Sequence, residues 1–182
     1  MTARTTTMGN LKNIIGAGGE YLCGIELMRP VIASAFLPRG FLPAEGGCLF
    51  EALHFGGKEP TYDYVVYLLD ATARRLGPFF FLQVKTTLKT PDITGAYAMR
   101  FSAAAVARAH AMKTPFFVGI VDRSTARREK IYVKGIDARQ SKGIASLAPL
   151  HDLAEDAVKI AIYNEVCRVW ALRNNPPLTQ LI

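Results

Sequence analysis

The chain has 182 residues, half of them hydrophobic, and a net charge of +7. That length and apolar content suit one domain with a full core and exclude disorder over most of the chain. No stretch reaches the roughly 18 uninterrupted apolar residues of a membrane helix, since the longest candidate, Val31–Leu37, is bracketed by Pro30 and Pro38. Residues 1–9, Thr-rich and without the apolar core of a signal peptide, are expected to be a flexible N-terminus, leaving 10–182 as one cytoplasmic domain with no membrane contact. Cys23, Cys48 and Cys167 are odd in number and far apart, which argues for buried free thiols rather than a disulfide framework or zinc ribbon. His54, His110 and His151 are equally scattered, against a zinc hydrolase.

In chain order, Asn10–Arg29 predicts a first helix, capped by Asn10 and ended by Pro30. Cys48–Phe55, Tyr62–Leu69 and Phe79–Thr87 predict three strands, the last two joined by a turn over Arg74–Pro78. Ala-rich Phe101–Lys113 predicts a second helix, and the apolar run Pro115–Val121 a buried strand. Lys130–Ile136 predicts a further, more exposed strand, and Asp152–Arg173 a long helix stopped by Asn174-Asn175-Pro176-Pro177. The expected fold is α/β, a mixed central sheet flanked by helices.

Charge is concentrated. Residues 99–142 hold ten Lys or Arg against Asp122, Glu129 and Asp137, which accounts for the whole net charge. A basic region of this kind suits a polyanion such as nucleic acid, although a solvated basic loop has the same composition. Lys89, Arg100, Arg108, Arg127, Arg128 and Lys130 are the candidate contacts.

Three short segments carry chemistry. In Phe79–Lys85, strand alternation puts Gln83 and Lys85 on one face, a polar pair closing an apolar strand. Asp63 opens the preceding strand, and an antiparallel hairpin would set it beside Gln83 and Lys85. On the first helix, Leu11, Ile14, Ile15, Leu22 and Ile25 form an apolar stripe. The opposite face is built of small residues such as Gly16, Ala17 and Gly24, with Glu20 as its only carboxylate. Small residues allow close backbone approach, which offsets the roughly 1 kcal/mol that a helical glycine costs. Each residue alone also has an ordinary role: Asp63 in a turn, Gln83 and Lys85 at a strand end, Glu20 on an exposed helix.

The order Glu20, Asp63, Gln83-x-Lys85, carried by G-G-E-Y-L at Gly18–Leu22, Y-D-Y-V-V at Tyr62–Val66 and F-L-Q-V-K-T at Phe81–Thr86, resembles the PD-(D/E)XK nuclease superfamily. It is most similar to the small Q-x-K branch that includes Mrr-type restriction enzymes, and the likeness spans roughly Asn13–Ile136. The resemblance implies a restriction-endonuclease-like αβββαβ core, here with an added C-terminal helix. It implies a Mg²⁺ or Mn²⁺ site formed by Asp63, Gln83, Glu20 and the backbone carbonyl of Val84, with Lys85 stabilising charge at the phosphate. The implied activity is metal-dependent hydrolysis of phosphodiesters, in DNA above all, in defence or mobile-element biology. A homodimer would let one core cut both strands. Two departures stand out: Tyr62 replaces the proline of the family name, and Gln83 replaces an acid, with Glu45, Glu51 and Glu59 as substitute ligands. The alternative is a silent nuclease-fold module that binds nucleic acid or a protein.

Overall fold

The computed structural model describes residues 8–32, 47–55, 61–125 and 127–174. Their elements are α1 (Met8–Leu27), β1 (Phe50–His54), β2 (Tyr64–Leu69), β3 (Arg75–Thr87), β4 (Tyr97–Phe101), α2 (Ala103–Ala111), β5 (Phe116–Asp122), β6 (Lys130–Gly135), β7 (Ile144–Leu147) and α3 (Asp156–Asn174). The fold is mixed α/β. Five strands form one sheet in the order β1-β2-β3-β5-β6, and β4 pairs with β7 in a separate two-stranded sheet. Within the large sheet β3 and β5 are parallel and every other pairing is antiparallel. A parallel neighbour needs a crossover, and the β4–α2 segment supplies it.

Both faces of the large sheet are covered. Phe80, Leu82 and Val84 of β3 pack in one core with Cys23 and Leu27 of α1 and with Val158, Ile162 and Val166 of α3. Phe81, with Phe116, Val118 and Ile120 of β5, packs with Val106 and Ala109 of α2 and with Tyr97 and Leu147 of the small sheet. Period-two alternation thus sends successive β3 side chains into two different cores. A buried ion pair, Lys159 Nζ to Glu26 Oε1 at 2.8 Å, ties α3 to α1 beneath the first core.

Several sequence expectations need correction. Helix α1 begins at Met8, so Asn10 lies inside it rather than capping it, and its last residue is Leu27. The turn between β2 and β3 lies at Asp70–Arg74, not Arg74–Pro78. There Asp70 Oδ1 accepts from the backbone N–H of Thr72 and Arg74, and Ala73 takes a left-handed φ of 59°. Gly77 and Pro78 belong to β3, where the register against β2 slips between Tyr67 and Leu69. A proline, lacking an N–H, fits where the ladder is interrupted. Strands β4 and β7 have no counterpart among the predicted elements, and Phe101 ends β4 instead of starting a helix; Ser102 caps α2 through its side chain. Residues 152–155 precede α3, and Asp152 bridges to Tyr132 of β6. The three thiols are free, Cys23 buried and the other two half-buried. Among the described residues no helix is long and apolar enough to cross a membrane.

Candidate functional site

The candidate site lies where β2 and β3 part. Their pairing runs to Tyr64 opposite Leu82, and Asp63 N–H donates to the Leu82 carbonyl at 2.9 Å as the last ladder bond. Beyond that point β3 continues beside β5 as far as Thr87 opposite Asp122. The departure of β2 would strand the backbone N–H of Val84. The Asp63 carboxylate takes it: Oδ2 accepts from Val84 N at 2.6 Å and from the Gln83 side-chain amide at 2.5 Å. Asp63 and Gln83 are both buried, at 5% and 6% exposure. Lys85, two residues on along the same face, is exposed, yet its charge reaches Asp63.

Helix α1 brings Glu20 to this fork. The approach depends on glycine: a Cβ on Gly19 would lie 1.9 Å from Thr86 Oγ1, and one on Gly24 would lie 2.7 Å from the Tyr64 hydroxyl. The small-residue face of the helix therefore lies against the ends of β2 and β3. The Tyr64 hydroxyl fixes the helix by donating to the Glu20 carbonyl at 2.7 Å. The Glu20 carboxylate accepts from His54 Nε2 at 2.8 Å, and the His54 ring is held between Tyr21 and Tyr64. His54, one of three histidines scattered along the sequence, thus belongs to the site. The signal was there, because a β1–β2 hairpin places it opposite Tyr64, next to Asp63.

The electrostatics favour a cation. Burial raises the Asp63 carboxyl above the ordinary carboxylate range and Glu20 adds to the rise, while the Val84 N–H, Lys85 and His54 only partly oppose it. A buried carboxylate beside a second one gains from a positive ion. Among the described residues no three His, Cys, Asp or Glu side chains gather closely enough to hold a metal by themselves. The residues that could hold one are the carboxylates of Asp63 and Glu20, with the neutral oxygens of the Gln83 amide and the Val84 carbonyl. All are hard oxygen donors and fit Mg²⁺ or Mn²⁺. One adjustment is needed. The Gln83 amide nitrogen faces Asp63 Oδ2 and, at 3.5 Å, the Val84 carbonyl, so the amide must turn over to present Oε1.

Glu51 is not a substitute ligand. It lies opposite Tyr67, at the far end of β1, and is clamped by Arg75 at 2.6 and 2.9 Å, which holds its carboxyl below the usual range. Glu45 and Glu59 lie outside the described residues.

The basic residues do not form one patch. Lys130 aligns with Asp122, and so with Thr87, at the end of the sheet that holds Lys85; Lys89, Arg127 and Arg128 lie in the loops at that end. Arg123 belongs there too, its backbone N–H donating to the Thr87 carbonyl. Lys130 is 3.6 Å from Asp152. Arg108 on α2 instead donates to Thr61 at 3.2 Å, bracing the segment before Asp63, and Arg100 is an exposed residue of β4. At the opposite end, a cleft of about 720 Å³ is lined by Lys113, Arg139 and Arg168 among others.

Comparison of the chain with protein-family models, with curated proteins and with solved structures finds no match.

Proposed function

We propose that this protein is a metal-dependent endonuclease of the PD-(D/E)XK type, hydrolysing phosphodiesters, most naturally in cytoplasmic DNA. The observation that carries this reading is the juxtaposition of Asp63 with Gln83 on neighbouring strands, with Lys85 on the same face of β3 and Glu20 arriving on α1. The α1-β1-β2-β3-α2-β5 order, with β5 parallel to β3, agrees with a restriction-endonuclease-like core extended by β4, β6, β7 and α3.

Asp63 and Glu20 would hold the ion, completed by Gln83 Oε1 and the Val84 carbonyl. Bound there, Mg²⁺ or Mn²⁺ supplies Lewis-acid activation of water and neutralises phosphate charge. Lys85, exposed at the rim, can donate to a phosphate oxygen on which charge develops. Lys89, Arg127, Arg128 and Lys130, at the same end of the sheet, can hold the strand through its phosphates without reading its bases. A two-fold dimer would pair two such sites for cleavage of both strands.

The test is cleavage of linear, supercoiled, methylated and branched DNA with Mg²⁺ or Mn²⁺. Asp63→Ala should abolish cleavage with the fold intact, and Lys85→Ala should abolish cleavage while leaving metal binding largely in place. A second reading, a silent module that binds nucleic acid or a protein, draws on the Gln83 amide, which already satisfies Asp63 by hydrogen bonding. A folded wild type inactive on all four substrates would favour that reading.

A further inference from the structure

Arg123 directly follows β5 and is held in a fixed turn. Its backbone N–H donates to the Thr87 carbonyl at 2.9 Å, one residue past the Thr87–Asp122 pair. Asp122 is fixed at both carboxylate oxygens: Oδ2 accepts from the Tyr97 hydroxyl at 2.7 Å and Oδ1 from the Ser124 N–H at 2.8 Å. Alternation along β5 sends Ile120 into the core with α2 and Val121 into the core with α1. Arg123 therefore leaves the chain on the α1 face. There its guanidinium lies against the helix at Gly18, where a Cβ would stand 2.7 Å from Arg123 Nη1. Gly18 thus leaves the seat that the guanidinium occupies.

Arg123 is half-buried, and among the described residues its guanidinium has no hydrogen bond or ion pair. The neighbouring acids are engaged elsewhere. Asp122 is held by Tyr97 and Ser124, Glu20 by His54, and Glu26 by Lys159 and Arg29. A cation drawn partly out of water without a counter-ion is unfavourable, and so is a glycine inside a helix. An anion bound at this seat would offset both.

We propose that Arg123, seated on Gly18, is a preset contact for a backbone phosphate of the DNA strand, beside the phosphate that Lys85 meets. The identity of the anion rests on the endonuclease reading. Val84 packs toward α1, so Lys85 leaves β3 on the other face, level with Ile120 of β5. Lys85 and Arg123 therefore flank one end of the sheet from opposite sides, and a strand crossing that end meets both. The planar fork of a guanidinium suits two oxygens of one phosphate better than an ammonium does. Its position is fixed before binding by the Thr87 bond, the Asp122 turn and the Gly18 seat, so less freedom is lost when the phosphate arrives. Arg123 then sets the register of the strand over the Asp63 fork.

The experiment is fluorescence anisotropy of a labelled DNA duplex with the full chain, in chelator so that no cleavage occurs, over a series of salt concentrations. Arg123→Gln should weaken binding by roughly tenfold or more and lower the slope of log affinity against log salt by about one. Arg123→Lys should restore the slope but only part of the affinity. Gly18→Ala keeps every charge and displaces only the flexible end of Arg123. It should lose part of the wild-type affinity while its melting temperature holds or rises, because alanine favours the helix. Combined with Arg123→Gln, it should cost nothing further. An affinity and salt slope unchanged in Arg123→Gln would overturn the proposal, as would a Gly18→Ala loss of equal size in both backgrounds. If cleavage persists in either case, the endonuclease reading stands without Arg123. A wild type that binds no duplex even at low salt also overturns the proposal. A wild type that binds through Arg123 yet cuts nothing supports the phosphate contact and removes the endonuclease reading alone.

Discussion

His54 Nε2 donates to the Glu20 carboxylate at 2.8 Å, joining the first strand to the first helix at the one point where both reach the Asp63 fork. If Glu20 orients a metal ion, His54 orients Glu20. His54→Ala should then lower Mn²⁺ affinity by roughly 10- to 100-fold, the usual effect of losing a group that positions a ligand. His54→Gln, which keeps a donor at similar reach, should recover most of it. Calorimetric titration of the three proteins checks this, and equal affinities would show that the His54–Glu20 bond serves only the fold.

The glycines of α1 make opposite predictions at neighbouring positions. A Cβ at Gly19 would overlap Thr86, with Oγ1 at 1.9 Å and Cβ at 3.0 Å, whereas a Cβ at Gly16 would meet nothing within 4 Å. Gly16→Ala should stabilise the protein by about 0.5–1 kcal/mol through helix propensity and reduced chain entropy. Gly19→Ala should destabilise it by about 1–3 kcal/mol, overpacking outweighing the same propensity gain. Adding Thr86→Ala to Gly19→Ala should restore part of the loss. Urea denaturation of the four proteins measures the contrast.

Much of this geometry is legible in the sequence because it follows from period and register. Alternation along Phe79–Lys85 puts Gln83 and Lys85 on one face, and a hairpin of two similar runs sets Asp63 across from Gln83. Other features depend on contacts between distant segments. Strands β4 and β7 have five and four residues and pair only with each other, so neither stands out locally. The Asp70 turn is formed by one side chain capping two backbone N–H groups, which Gly77 and Pro78 overshadow as turn signals. On α1, Ile14 and Ile25 are exposed while Gly19 and Gly24 face the sheet, an inversion of the usual arrangement at these positions. Only the presence of Thr86 and Tyr64 beneath the helix explains that inversion.

The raised pKa of Asp63 has a consequence for stability. A carboxyl whose folded pKa lies above its unfolded value binds protons more tightly in the folded protein. Its contribution to stability is therefore greatest below the unfolded pKa and declines as pH rises through the folded one. Asp63→Asn removes that titration while an amide oxygen can still accept from the Val84 N–H. Without metal, the variant should gain in melting temperature relative to the wild type between pH 4 and pH 7, and Mg²⁺ should narrow the gap by stabilising the wild type alone. A constant difference across that range would mean that the Asp63 charge is not a burden on the fold.

Whether Asp63 and Gln83 share a divalent ion is read by titrating Mn²⁺ into the wild type, Asp63→Ala and Gln83→Glu. Gln83→Glu preserves size and adds a negative charge to a set that has a neutral amide at this position. Affinity for a hard cation rises with ligand charge, so this variant should bind Mn²⁺ more tightly, by roughly tenfold, and Asp63→Ala should bind little or none. Activity need not follow affinity, because the added anion also repels phosphate and weakens the electrophilic pull of the metal. A wild type that binds Mn²⁺ with an affinity unchanged in both folded variants would place the metal away from the Asp63–Gln83 pair and overturn the shared-ion site.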